Sequence, residues 1–487
     1  MLVNSIPFLL FFSVVFVVYY LPISRKSPKF QNLWLFLASY FFYGYADWRM
    51  IPLLLGATAV FYGLGLWLKH LIDEGKVKDA SWVTTLGVVI GVGVLLYFKY
   101  LNFFAESFAD LLSLIGLKVS WTTLHIVLPV GVSFFTFKLI SYIIEIHREH
   151  IEPCCDFIEF GTYIAFFPTI LSGPIDRPGK FLPQLRTIRS LDAEMTTRGL
   201  QQILWGMFKK MVIADNLMGI IDSTWEMQSF TGSTYLLAAL LYPIQMYADF
   251  SGYSDMAIGV GRLLGIKVAQ NFTYPFFARN VAEYWRRWHI SLTSWITDYV
   301  FMPLNIAFRN IGNWGVIFAV IINLVVIGLW HGANWTFGLF GLYHGLLFIP
   351  LVLSGAFAKN KKLKPGALGL PKFRDFLMMC LTYVLVAIGL VIFKADSVGQ
   401  AVNYFSLMGQ HSLFAVPRFI GMDNAKFLIS VPFIIILIIA DWRNIKKECP
   451  LFFEKNHNWK TILCYFLIVA SIYFLGAESS SFIYFKF

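Results

Sequence analysis

His331 lies in Leu329-Trp-His-Gly-Ala-Asn-Trp335, within a stretch from Val316 to Leu353 that contains no Asp, Glu, Lys or Arg. The flanking residues 314–330 and 335–353 each read as a membrane-crossing helix, which places His331 at membrane depth between them. An ionisable group there is costly, and by default it marks a pathway or a reaction site. Histidine titrates near pH 6.5, so it can take and return a proton at neutral pH. His289, 42 residues upstream, sits in an unusually polar run, Glu283-Tyr-Trp-Arg-Arg-Trp-His-Ile-Ser291. The chain has nine histidines, and two of them in such surroundings support a catalytic reading.

A histidine among aromatics can also be a packing residue whose ring nitrogens bond to backbone. Beside Trp330, Gly328, Gly332 and Asn334, at membrane depth, the functional reading is the stronger one. The two glycines would let another backbone or a ligand come close. His344, in Leu342-Tyr-His-Gly345, can be supporting or structural.

Other polar groups cluster upstream. Arg286 and Arg287 either touch lipid headgroups or hold a phosphate-bearing donor, for which guanidinium forks are suited. In Gln245-Met-Tyr-Ala-Asp-Phe-Ser-Gly-Tyr-Ser-Asp-Met256, Asp249, Ser251 and Asp255 end one span. There Ser254 and Asp255 suit the cap of a following helix, or the group contributes to a binding site. Within 279–303, Trp285, Trp288, Leu292, Trp295, Ile296 and Tyr299 recur at helical spacing among charges. That pattern predicts an amphipathic helix lying along the inner interface, its tryptophans embedded.

The elements that must position these groups are membrane helices. The chain is 58% hydrophobic, 18% aromatic and only 14% charged, with a mean hydropathy of +0.66, whereas a soluble domain carries about 25% charged residues. Apolar runs fall near 5–21, 33–46, 51–68, 83–100, 124–144, 200–221, 234–250, 314–330, 336–353, 376–393, 427–442 and 461–477. We therefore expect an all-α polytopic membrane protein with roughly twelve transmembrane helices, several of them tilted or paired. Residues 157–182, broken by Pro and Gly, predict a re-entrant segment, which is tolerated only where protein or a cavity covers its backbone.

The net charge of +11 comes from 39 basic and 28 acidic residues. The basic residues gather at Arg25, Lys26 and Lys29, at Lys359, Lys361, Lys362, Lys364, Lys372 and Arg374, and at Arg443, Lys446, Lys447 and Lys455. Basic short loops mark the cytoplasmic face, giving a topology with both termini outside. This basicity is accounted for by topology and contact with the lipid bilayer, without nucleic acid. The first apolar run has no preceding basic residue and no small-residue cleavage site, so it reads as a retained span. Five cysteines form no CxxC pair and no zinc-like spacing, so neither a metal nor a disulfide is expected. The chain reads as one membrane domain, 1–487, in three zones: N-terminal helices over 1–150, a central region over 151–353, and C-terminal helices over 354–487.

Tyr284-Trp-Arg-Arg-Trp-His-Ile-Ser-Leu292 together with Leu329-Trp-His-Gly-Ala-Asn-Trp335 resembles the membrane-bound O-acyltransferases. Pro129-Val-Gly-Val-Ser-Phe-Phe-Thr-Phe137, Ser172-Gly-Pro-Ile175, Asp249-Phe-Ser-Gly-Tyr-Ser-Asp255 and the aromatic terminus Phe482-Ile-Tyr-Phe-Lys-Phe487 add to the likeness. It is nearest the bacterial branch that acetylates alginate and other envelope polysaccharides, with Lys486 standing where glutamine is expected.

The resemblance implies a helical ring around a thinned centre, with re-entrant segments forming a tunnel, in the bacterial inner membrane. It implies His331 and His289 as the family's motif histidines, no bound cofactor, acetyl-CoA as cytoplasmic donor, and an extracytoplasmic partner protein that completes transfer to a polysaccharide. On that reading His331 is the general base, His289 orients the donor or steadies the oxyanion, and Asn334 is a further hydrogen-bond donor. The rivals are D-alanyl transfer from a carrier protein to teichoic acid, and a transporter or flippase using His331 as a proton relay. The absence of a convincing internal repeat weighs against the last.

Overall fold

The computed structural model describes residues 1–22, 27–117, 127–227, 229–357, 369–421, 423–445, 447–453, 458–477 and 482. Lys486 and the basic residues Arg25, Lys26, Lys359, Lys361, Lys362, Lys364, Lys446 and Lys455 lie outside them. The described residues are helical, with no strand among them. They fall into two compact units, residues 1–203 with 257–269 and residues 204–256 with 270–487.

The first unit contains α1 (Ile6–Tyr19), α2 (Pro28–Asp47), α3 (Ile51–Asp73), α4 (Val77–Leu95), α5 (Leu101–Leu114), α6 (Val132–His147), α7 (Phe157–Ala165) and α8 (Pro178–Leu185). Helix α6 is only 16 residues long and has 13 of them buried, so it is a core helix of this unit. Helix α7 breaks at Phe166, and the chain runs irregularly through buried residues as far as Asp176 before α8 begins. Broken backbone in a dry interior needs other partners for its polar groups. They are supplied here: the buried Lys138 ammonium donates to the Tyr163 carbonyl and to Thr169 Oγ1, each at 3.1 Å. Ser39 Oγ accepts from the Phe167 amide, and Asp176 accepts from the Ala269 amide. Arg189 is also buried, donating to the Tyr19 hydroxyl at 2.7 Å and to Asn32 Oδ1 at 2.8 Å.

Helices α9 (Ala193–Met207) and α11 (Gly232–Leu263) contribute to both units. The second unit adds a π-helical turn over Phe208–Ala214, α10 (Asp215–Glu226), and the short α12 (Val281–Trp285), α13 (Ile290–Ile296) and α14 (Met302–Ala307). It continues with α15 (Asn313–His331), α16 (Trp335–Leu347), α17 (Ile349–Leu353), α18 (Phe373–Lys394), α19 (Val398–Met408), α20 (Asp423–Arg443) and α21 (Trp459–Leu475). Helices α15 and α16 form a tight hairpin. A Cβ on Gly328 would lie 2.1 Å from the Phe337 carbonyl oxygen, and one on Gly341 2.3 Å from that of Leu324. The room left by the glycines is thus filled by the partner helix.

Two expectations are corrected, and the span count is met at a coarser level. Among the described residues six segments are long and apolar enough to cross a membrane, Pro28–Asp73, Val77–Leu114, Asn313–His331, Trp335–Leu353, Phe373–Lys394 and Asp423–Arg443, the first two running through α2 with α3 and α4 with α5, and Ile6–Tyr19 and Trp459–Leu475 are shorter apolar helices. The expected spans at 124–144, described from 127, at 200–221 and at 234–250 fall on helices that carry buried polar or charged side chains. The amphipathic interfacial helix is two short helices, broken between Trp285 and Ile290, whose Trp285, Trp288, Leu292, Trp295 and Ile296 are buried in protein. Finally, α11 runs 32 residues straight through Ser254 and Asp255, so neither caps a new helix.

Candidate active site

The site is assembled within the second unit. Helix α15 ends on Trp330 and His331, and the next helix starts only four residues later because Asn334 caps it, accepting from the Thr336 amide at 3.0 Å. His331 is therefore fixed at a rigid corner. Its ring packs edge-on against Phe393 near the end of α18, with centroids 5.2 Å apart, and against Trp330 at 5.0 Å.

His289 arrives from the break between α12 and α13. Its ring is fully buried, 4.7 Å from Phe250 and 5.8 Å from Trp330. The two imidazoles stand 6.4 Å apart, centroid to centroid, at 55°. Burial pushes the His289 imidazole down to about 3, because an aromatic cage solvates the cation poorly. The ring is therefore neutral at pH 7.

Trp285, Trp288, His331, Phe340, His344 and Phe393 are among the walls of a small cavity beside His331, with room for about one water molecule. His344 is fully buried, and its Nδ1 lies 3.3 Å from the Trp285 indole nitrogen. Indole N–H can only donate, so Nδ1 is the acceptor and a neutral His344 carries its proton on Nε2. A Cβ at position 389 would lie 2.6 Å from that Nε2, so Gly389 makes room for the ring.

The structure thus brings His289, Trp330 and His331 together. The remaining sequence candidates make contacts of their own. The Asn334 amide nitrogen donates to the Asp396 carbonyl at 2.7 Å. Arg287 pairs with Glu283 at 2.6 Å, and Arg286 reaches the Phe357 carbonyl at 3.4 Å. Asp249, Ser251 and Asp255 face two buried lysines. Lys210 bridges Asp249 at 2.6 Å and Asp215 at 2.8 Å, while Lys209 binds Asp255 at 2.6 Å and Ser251 at 2.8 Å. These lysines are absent from the sequence reading. The signal was available, since an ionisable pair in the apolar run 200–221 is the same kind of anomaly as His331. Their helix can approach α11 because a Cβ on Gly206 would sit 2.5 Å from the Gly252 carbonyl oxygen.

Residues 148–390 match the model of the membrane-bound O-acyltransferase family. The chain is 35% identical over 413 residues to a protein of Pseudomonas aeruginosa named as a probable alginate O-acetylase, covering 84% of this chain and 75% of that one. It is 29% identical to the peptidoglycan O-acetyltransferase of Helicobacter pylori, covering 98% of each. A teichoic acid D-alanyltransferase of Streptococcus thermophilus is 33% identical over 60% of this chain and 75% of its own length.

Proposed function

This chain belongs to the membrane-bound O-acyltransferase family, and from that premise we propose that it takes an acetyl group from cytoplasmic acetyl-CoA for O-acetylation of an extracytoplasmic polysaccharide. It is a multi-pass membrane enzyme, and the bacterial inner membrane is the compartment where such a donor and acceptor lie on opposite sides. The observation that carries the reading is the pair of buried histidines, 6.4 Å apart beside an aromatic-walled cavity. His331 accepts the proton of the acceptor hydroxyl as its oxygen bonds to the thioester carbonyl carbon. The carbon–sulfur bond then breaks, and the coenzyme A thiol leaves with the proton. Neutral His289 holds the donor or the developing oxyanion through a ring N–H. The acceptor hydroxyl belongs either to the polysaccharide or to a partner protein on the outer side that passes the acetyl group on.

The test compares cells expressing the wild type with cells expressing His331→Ala at equal membrane levels, measuring labelled acetate in alkali-labile envelope esters. Ester label that disappears in the variant supports the proposal, and equal label in both removes His331 from the chemistry. Labelled D-alanine in place of acetate would transfer the reading to the teichoic acid rival.

A further inference from the structure

His289 occupies left-handed backbone space, with φ 45° and ψ 51°, a conformation that residues with a Cβ rarely adopt. Tyr274 does the same, with φ 53°. Outliers of this kind persist only where surrounding contacts over-determine them. The contacts lie in a strap that runs beside the histidine segment. Thr273 donates its amide to the Arg287 carbonyl at 3.0 Å, and Ile290 donates its amide to the Asn271 carbonyl at 2.9 Å, so His289 is pinned on both sides.

Asn271 does more than pair backbones. It is fully buried, and its Oδ1 accepts from the Ser291 hydroxyl at 2.5 Å while its Nδ2 donates to Ser254 Oγ at 3.2 Å. One side chain thus ties the residue two after His289 to α11, the helix that also supplies Phe250 against the His289 ring. We infer that Asn271 is the positioning residue of the site, holding His289 in its left-handed conformation so that its ring faces His331. The inference rests on the proposed role of His289. Neither Asn271 nor Ser291 touches the cavity beside His331.

A double-mutant cycle in membranes tests it, with initial rates of ester formation followed against labelled acetyl-CoA. Asn271→Ala should lower kcat/KM for acetyl-CoA about tenfold, a coupling of ordinary size for groups acting through one residue. In a His289→Ala background the same change should cost almost nothing. Equal losses in both backgrounds, or full activity of Asn271→Ala, would overturn the inference. Should Asn271→Ala not accumulate, Ser291→Ala decides by the same comparison, because it removes one hydroxyl and leaves the strap intact. A fully active His289→Ala enzyme would instead strike down the role assigned to His289, an outcome distinct from additivity.

Discussion

The rings of His289 and His331 stand 6.4 Å apart with their planes inclined at 55°, close enough for one small group to touch both. Residues that act on one transition state lose activity non-additively. His331→Ala should therefore lower the initial rate of ester formation by about 10²–10⁴-fold, and adding His289→Ala should cost little more. Rates from the two single variants and the double variant decide the matter. Losses that multiply would mean the two rings act separately.

The buried Lys209 pairs at 2.6 Å with the partly buried Asp255. Removing one partner strands the other charge, so Lys209→Met should destabilise the protein by about 3–5 kcal/mol. Lys209→Met with Asp255→Leu should recover most of that, since an apolar pair of similar volume needs no compensation. Thermal denaturation of the detergent-solubilised protein gives the comparison. Failure of the double variant to recover would assign Asp255 a role beyond the pair.

The α15–α16 hairpin supplies a steric contrast. Gly328→Ala drives a Cβ into the Phe337 carbonyl oxygen at 2.1 Å, whereas Gly338→Ala meets only a Leu329 methyl at 3.5 Å. The first should cost about 1–3 kcal/mol and displace His331, with activity falling accordingly, and the second should be nearly silent. Melting temperature and turnover measured together on both variants test this.

The buried His289 makes stability depend on pH. Its folded pKa, near 3, lies below the value of 6.5 it has when unfolded. Above pH 6.5 neither state is charged and the group contributes no pH dependence. As pH falls from 6.5 towards 3 the unfolded chain binds the proton first, so folding stability declines across that window. His289→Gln should show a shallower decline in melting temperature between pH 7 and pH 4 than the wild type. Parallel curves would mean that water reaches the ring in the folded protein.

His331 was legible because one ionisable residue in a charge-free stretch has few explanations. Residues 281–296 were legible as helix but not in their surroundings. Tryptophans at helical spacing look alike whether they face lipid or protein, and the break at His289 carries no glycine to announce it. For Ser254 and Asp255 the cap and the binding-site readings stay open in the sequence, because a sequence shows no partner 46 residues away. Lys209 binds Asp255, and α11 continues without interruption. The surroundings of an apolar helix are equally hidden. Helix α6 is apolar enough to suggest lipid, and its burial against its own unit appears only in three dimensions.

Lys209 and Lys210 also bear on how the chain is made. Each lysine costs about 2.5–3.5 kcal/mol at the centre of a helix entering the bilayer. Asp215 follows on the same helical run, but Asp249 and Asp255 emerge from the ribosome only later, on α11. Lys209 and Lys210 therefore have their full set of carboxylate partners only once α11 has been made. The pairing ties two segments about 40 residues apart in the chain, so the charge balance of the earlier one depends on the later.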